Sequence, residues 1–329
     1  MIFTNKMQNK QVRDLAWVIN SPSLIKQQAD WPIIVGPANT LRDSWVDSWL
    51  LSLDAEPSTL LSHLSQEKSH FIGAYFESLW AFYLLSHPSY ELIAKNLQAN
   101  TKTRTEGEFD FIVFDKENEH YIHQEIAIKF YLGFSKQNHH DFSDGKNIWL
   151  GPQCKDRLDL KMDKMINSQI TLSNKDSGKQ ALRSINIDPD SHNIKTQLIM
   201  KGYLFYPPNP SVIAPNICNQ NHLRGLWVTL DEFTTYMEEN DFDAWALLTK
   251  PEWISPYFAD LSTKNMSTLK KCHNNCFTEK SGIILAVKEK ISNENRPWMV
   301  ACLVKREGDH YLEDRRLFVV PDDWPQIDK

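Results

Sequence analysis

Residues 107–115 read Gly107-Glu108-Phe109-Asp110-Phe111-Ile112-Val113-Phe114-Asp115. After a polar turn, residues 123–130 read His123-Gln124-Glu125-Ile126-Ala127-Ile128-Lys129-Phe130. Two apolar runs across a short polar turn predict a β-hairpin. Side chains alternate faces along a strand, so Glu125, Ala127 and Lys129 share one face while Ile126, Ile128 and Phe130 fill the other. Asp110 interrupts the first strand in the same way. Charged side chains are almost never fully buried unless paired or bound to a metal. Two acids and a lysine on neighbouring apolar strands therefore point to a metal site with a positioned cation. An ion pair of Lys129 with Asp110 or Glu125 that serves only structure is the alternative.

The surrounding pattern supplies the frame. Val12, Leu15, Ala16, Val18 and Ile19 have helical spacing, ended by Ser21-Pro22-Ser23. A second helix is expected over 40–53. A third runs from Ser69 to Ser86, apolar all round and so buried, with Glu77 in its middle. Strands are expected over 90–98, 107–115 and 120–132. Gly151-Pro152 then leads into a basic amphipathic helix, with a short helix at 179–184 and a strand at 196–206 stopped by Pro207-Pro208. The succession is α-β-β-β-α-β, an α/β core with a mixed sheet. Residues 216–329 alternate short elements, at 226–229, 231–239, 282–288, 298–305 and 315–320. Their aromatic content points to a region packed on the core or to a partner surface. The expected division is a helical extension over 1–65, a core over 66–215 and an α+β region over 216–329.

With 329 residues and 41% hydrophobic residues, a sizeable core can form. The eleven tryptophans are expected to pack within it. A net charge of −6 excludes a surface coated with basic charge, though not a local basic groove. The five cysteines have no disulfide-framework spacing, and no run of apolar residues is long enough for a membrane span. The first 21 residues lack the apolar core of a signal peptide. A reduced, cytoplasmic protein without membrane contact is expected.

The Gly73-x-x-x-Glu77 helix, the strand carrying Asp110, the Glu125–Lys129 strand and the α-β pair after it resemble the PD-(D/E)XK nuclease superfamily, the restriction-endonuclease-like fold. The resemblance covers roughly residues 66–210. The whole chain further resembles an uncharacterised bacterial domain-of-unknown-function family placed in that superfamily. The phrases that carry this second resemblance are Arg13-Asp14-Leu15-Ala16-Trp17, Trp149-Leu150-Gly151-Pro152, Asp156-Arg157-Leu158-Asp159-Leu160-Lys161 and Glu313 to Pro321.

The resemblance implies a restriction-endonuclease-like core, a mixed sheet flanked by helices, in a metal-dependent nuclease acting on DNA or, second, RNA. It assigns Mg²⁺ (or Mn²⁺) to Asp110 and Glu125, water orientation and charge stabilisation to Lys129, and a supporting acid to Glu77. The motif sets its second acid two residues before the lysine. That position is Ala127 here, and Glu125 lies four residues before Lys129, on the same strand face but about 7 Å further along the strand than the motif position. Lys155, Arg157, Lys161 and Lys164 offer a phosphate-tracking face, or else a solvated helix face interleaved with Asp156, Asp159 and Asp163.

Other candidates are weaker. His139-His140-Asp141 could bind metal or form an ordinary surface loop. Cys272-His273-Asn274-Asn275-Cys276 is half a zinc site without a second pair, so no structural zinc is expected. Nucleophile-elbow, Walker and dinucleotide glycine patterns do not occur. Two function classes stay open: a nuclease, favoured by Asp110 and Lys129, and a non-catalytic binder of nucleic acid or protein, favoured by Ala127 and the acidic net charge.

Overall fold

In a computed structural model, the described residues are 7–29, 31, 33–36, 44–135, 147–208, 212–260, 276–306 and 310–326. The His139-His140-Asp141 cluster and residues 272–275 lie outside them. The first elements are α1 (Lys10–Asn20), β1 (Ile34–Val35), α2 (Ser44–Ala55), α3 (Ser58–Leu64) and α4 (Ile72–Ser86). Next come β2 (Tyr90–Asn100), β3 (Thr105–Asp115), β4 (His120–Ser135), β5 (Asn147–Leu150), α5 (Leu158–Lys164), α6 (Asp176–Ser184) and β6 (Ile194–Tyr206). The remainder is β7 (Leu223–Thr229), α7 (Leu230–Glu239), β8 (Ala244–Leu248), β9 (Phe258–Asp260), β10 (Cys276–Phe277), α8 (Lys280–Glu294), β11 (Trp298–Lys305) and β12 (His310–Val320).

All twelve described strands join one mixed sheet, with main order β10-β8-β11-β12-β7-β6-β4-β3-β2. β2, β3 and β4 form an antiparallel meander, and β6 lies parallel to β4. β7 lies parallel to both β6 and β12, so the C-terminal strands extend the sheet that the central hairpin begins. The succession α4-β2-β3-β4-β5-α5-α6-β6 contains the expected α-β-β-β-α-β order, with β5 inserted after β4 and the short helix α6 before β6. β1 is a strand within the region expected to be helical, and β5, β8, β9 and β10 add to the strands expected from the sequence.

Strand alternation sorts the side chains into two layers. Ile126, Ile128 and Phe130 join a core with α1, α2, α3 and α4, and Met299, Ala301, Phe318 and Val320 continue it under the C-terminal strands. On the other face, Ala127 and Tyr131 pack with Leu158 and Met162 of α5. Phe109 and Ile112 pack with Ala181 and Leu182 of α6. Phe233 and Met237 of α7 and Ile283 and Val287 of α8 cover Val300, Leu317 and Val319. Helices thus flank both faces, as a mixed sheet with two apolar sides requires. A capping box at Thr229 and Glu232 starts α7 directly from the end of β7.

A buried polar network ties the chain's ends together. Asp14 of α1 accepts hydrogen bonds from Tyr75 Oη at 2.9 Å and from Ser255 Oγ at 2.6 Å. Arg316 grips Glu313 with two parallel bonds, at 2.7 and 2.8 Å, and donates to the carbonyls of Trp253 and Ser255. Such a network is stabilising only when every member is satisfied.

Candidate functional site

The site lies where the sheet opens. β3 and β4 are paired from Asp115–His120 up to Phe111–Gln124, and β5 takes the same edge of β4 only from Leu132 onward. Between those stretches, residues 125–131 pair with neither strand on that edge. Asp110 is the residue of β3 just past the last pair. Its carboxylate accepts the backbone N–H of Ile126 at 2.9 Å, replacing a ladder partner.

Glu125 is fully buried on the face of Ala127. Its Oε1 accepts from His123 Nε2 at 2.9 Å and its Oε2 from Gln169 Nε2 at 2.8 Å. Asp110, whose carboxylate holds the N–H of the next residue, Ile126, is its nearest acidic neighbour on β3, and the charges of the two carboxyls act on each other.

Burial dominates the electrostatics. It pushes the Asp110 carboxyl up to about 7, helped by the charge of Glu125 and opposed by the Ile126 N–H, Lys161 and His123. Burial likewise raises Glu125 to about 7, while Lys161 and then Asp110 pull it down. The two titrate as a pair. Glu77 is raised by burial and then by Asp110; Lys95 opposes the shift. His123 is lowered to about 4 by burial, so its ring is neutral at pH 7. With Nε2–H given to Glu125, the buried Nδ1 has no hydrogen-bond partner.

Two lysines stand at the opening. Lys129 shares a strand face with Glu125, but its ammonium is paired with Asp156 at 2.5 Å, in a partly exposed ion pair. Asp156 is fixed by the turn after β5, where its carbonyl accepts the Gly151 N–H at 2.7 Å. Lys161 of α5 turns inward. Its Nζ donates to Gln169 Oε1 at 3.1 Å, and its charge acts on both Asp110 and Glu125. α5 runs into a π-helical turn, Met165–Gln169, of the kind often found at functional sites.

The structure thus gathers Asp110, Glu125 and Lys161, with Lys129 on the same face. Glu77 approaches from α4 on the other side of the sheet, within electrostatic reach of Asp110. Arg157 is held by Asp159 at 2.6 Å, and Lys155 and Lys164 are exposed. His123, Asp156 and Gln169 were not picked out from the sequence. His123 shares the strand parity of Glu125, a readable signal; a π-turn has no periodicity that would reveal Gln169.

Among the described residues, no group of three or more His, Cys, Asp or Glu side chains could hold a metal ion. Asp110 and Glu125 together offer two hard oxygen donors. That set fits an ion which takes one or two protein carboxylates and completes its shell with water and phosphate oxygens.

Fold and site define a mixed α/β protein with a buried glutamate and a half-buried aspartate at a break in its sheet. The chain belongs to the family described as Domain of unknown function (DUF1853), whose model matches residues 13–320. No curated protein and no solved structure matches it. No helix among the described residues is long and apolar enough to cross a membrane.

Proposed function

We propose that the protein is a metal-dependent nuclease with a restriction-endonuclease-like core, cutting phosphodiester bonds in DNA in preference to RNA, in the cytoplasm. One observation carries this reading: two neighbouring acids, the buried Glu125 and the half-buried Asp110, sit where β3 and β4 part. The succession α4-β2-β3-β4, then β5, α5, α6 and β6, with β6 parallel to β4, supports the core assignment.

In this reading Asp110 and Glu125 hold Mg²⁺ or Mn²⁺. Such an ion, when bound, polarises a phosphoryl oxygen and lowers the pKa of a coordinated water. A lysine ammonium in the cleft offsets charge that develops on the phosphate. Glu77 positions water from the α4 side. His123 and Gln169 fix the rotamer of Glu125. Lys155, Arg157 and Lys164 track the nucleic-acid backbone outside the cleft.

A second reading is a nuclease fold that binds nucleic acid or a protein without cutting. Ala127 at the motif's acid position and the Lys129–Asp156 pair favour it. The experiment is cleavage of a panel of duplex, single-stranded and branched DNA and of RNA, with Mg²⁺ or Mn²⁺. The nuclease reading expects cutting that Asp110→Ala abolishes. Tight binding without cutting decides for the second reading, and cutting switched on by Ala127→Glu would trace inactivity to that position.

A further inference from the structure

We infer that Lys161, not Lys129, is the cation that serves the Asp110–Glu125 pair, and that Gln169 is the positioning residue that holds it there. The inference rests on the hydrolytic reading for its chemistry, but its geometry stands alone. The Gln169 amide lies between the two charges. Its oxygen accepts from Lys161 Nζ at 3.1 Å and its nitrogen donates to Glu125 Oε2 at 2.8 Å. Both polar ends of one amide are therefore used to join a lysine to a buried carboxylate.

The helix is wound for this contact. In a straight α-helix, residues eight apart are separated by about 12 Å along the axis. The π-turn over Met165–Gln169 changes the phase of Gln169 relative to Lys161. Lys129 is committed elsewhere: its ammonium meets Asp156 at 2.5 Å. Asp156 is itself pinned by the Gly151 N–H. The lysine at the motif position is thus neutralised by a partner outside the carboxylate pair, whereas the charge of Lys161 falls on both members of it.

The test compares Lys161→Met, Lys161→Arg, Gln169→Leu and Lys129→Met in the full chain. The first readout is thermal stability without metal at pH 8, each variant made in the wild-type background and in an Asp110→Asn/Glu125→Gln background. Lys161→Met is expected to lower the melting temperature in the first background and to have little effect in the second, with Lys161→Arg keeping most of the coupling. Lys129→Met is expected to act equally in both. The second readout is cleavage. Lys161→Met and Gln169→Leu should lower kcat by about 100-fold with KM for DNA unchanged, as for loss of a group that acts in the transition state. Lys161→Arg should recover part of that loss, and Lys129→Met should stay within a few-fold of wild type.

Coupling or kcat loss that follows Lys129, or that is equal for the two lysines, overturns the inference. A wild type that cuts nothing sinks the nuclease reading instead, and the stability coupling then decides alone which lysine serves the pair.

Discussion

Asp110 takes the backbone N–H of Ile126 at 2.9 Å, so a side chain replaces a strand at the point where β3 leaves β4. The same carboxyl lies within electrostatic reach of Glu125. A backbone donor is thereby satisfied by a group that would be more stable in water. The arrangement costs stability, and that cost is measurable.

Both carboxyls have folded-state pKa values near 7, above their unfolded values of about 4. The folded state therefore holds more protons between those limits. The contribution of the pair is fully present below about pH 4 and is lost as pH rises through about 7. Without metal, the melting temperature should fall between pH 5 and pH 8. Asp110→Asn keeps an oxygen for Ile126 and removes one charge, so it should raise the melting temperature at pH 8 by roughly 2–5 °C and change it little at pH 4. Equal destabilisation at both pH values would contradict this account.

Mg²⁺ or Mn²⁺ should raise the melting temperature at pH 8 by binding only the folded chain. The gain is about 2.7 kcal/mol when the free ion is at 100 times its Kd. A chelator should reverse the shift and Asp110→Ala should remove it. A shift that survives Asp110→Ala places the ion elsewhere.

Gly202 of β6 lies opposite Lys129 with φ at +138°, and a Cβ there would stand 1.7 Å from the Lys129 carbonyl oxygen. Gly202→Ala should cost about 2–4 kcal/mol in denaturant unfolding, because neither the backbone angle nor the space admits a methyl group. Unchanged stability would mean that β4 and β6 can move apart at the site.

Arg316 is buried with Glu313. Arg316→Met leaves a carboxylate without its cation and should destabilise by about 3–5 kcal/mol. Adding Glu313→Gln should recover part of that loss. No recovery in the double variant would show that the carbonyl contacts to Trp253 and Ser255 matter more than the charge pair.

The elements that position the site were legible where one period dominates. Glu125, Ala127 and Lys129 alternate with Ile126, Ile128 and Phe130, and those two sets do face different layers. The apolar run around Glu77 forms a helix over Ile72–Ser86. The inward turn of Lys161 was not legible: with Lys155, Arg157 and Lys164 around it, it reads as one more outward cation. What turns it is the bond to Gln169 across a π-turn, and local wording does not announce such a turn. The pairing of Lys129 with Asp156 depends on a turn closing after β5, a contact across 27 residues. β8 was missed because five apolar residues, Ala-Trp-Ala-Leu-Leu, are too few to distinguish a buried strand from a helix segment.

The bond between Asp14 and Ser255 spans 241 residues of chain. A ribosome adds about 5–20 residues per second, so α1 waits on the order of 12–50 s after its own synthesis before its partner exists. Throughout that interval Asp14 has no Ser255 to bond. The apolar face of α1 meanwhile lacks the C-terminal strands that complete its core. The newborn chain is therefore an N-terminal half with an unfinished surface, and any cellular factor that shields apolar helices has its opportunity then.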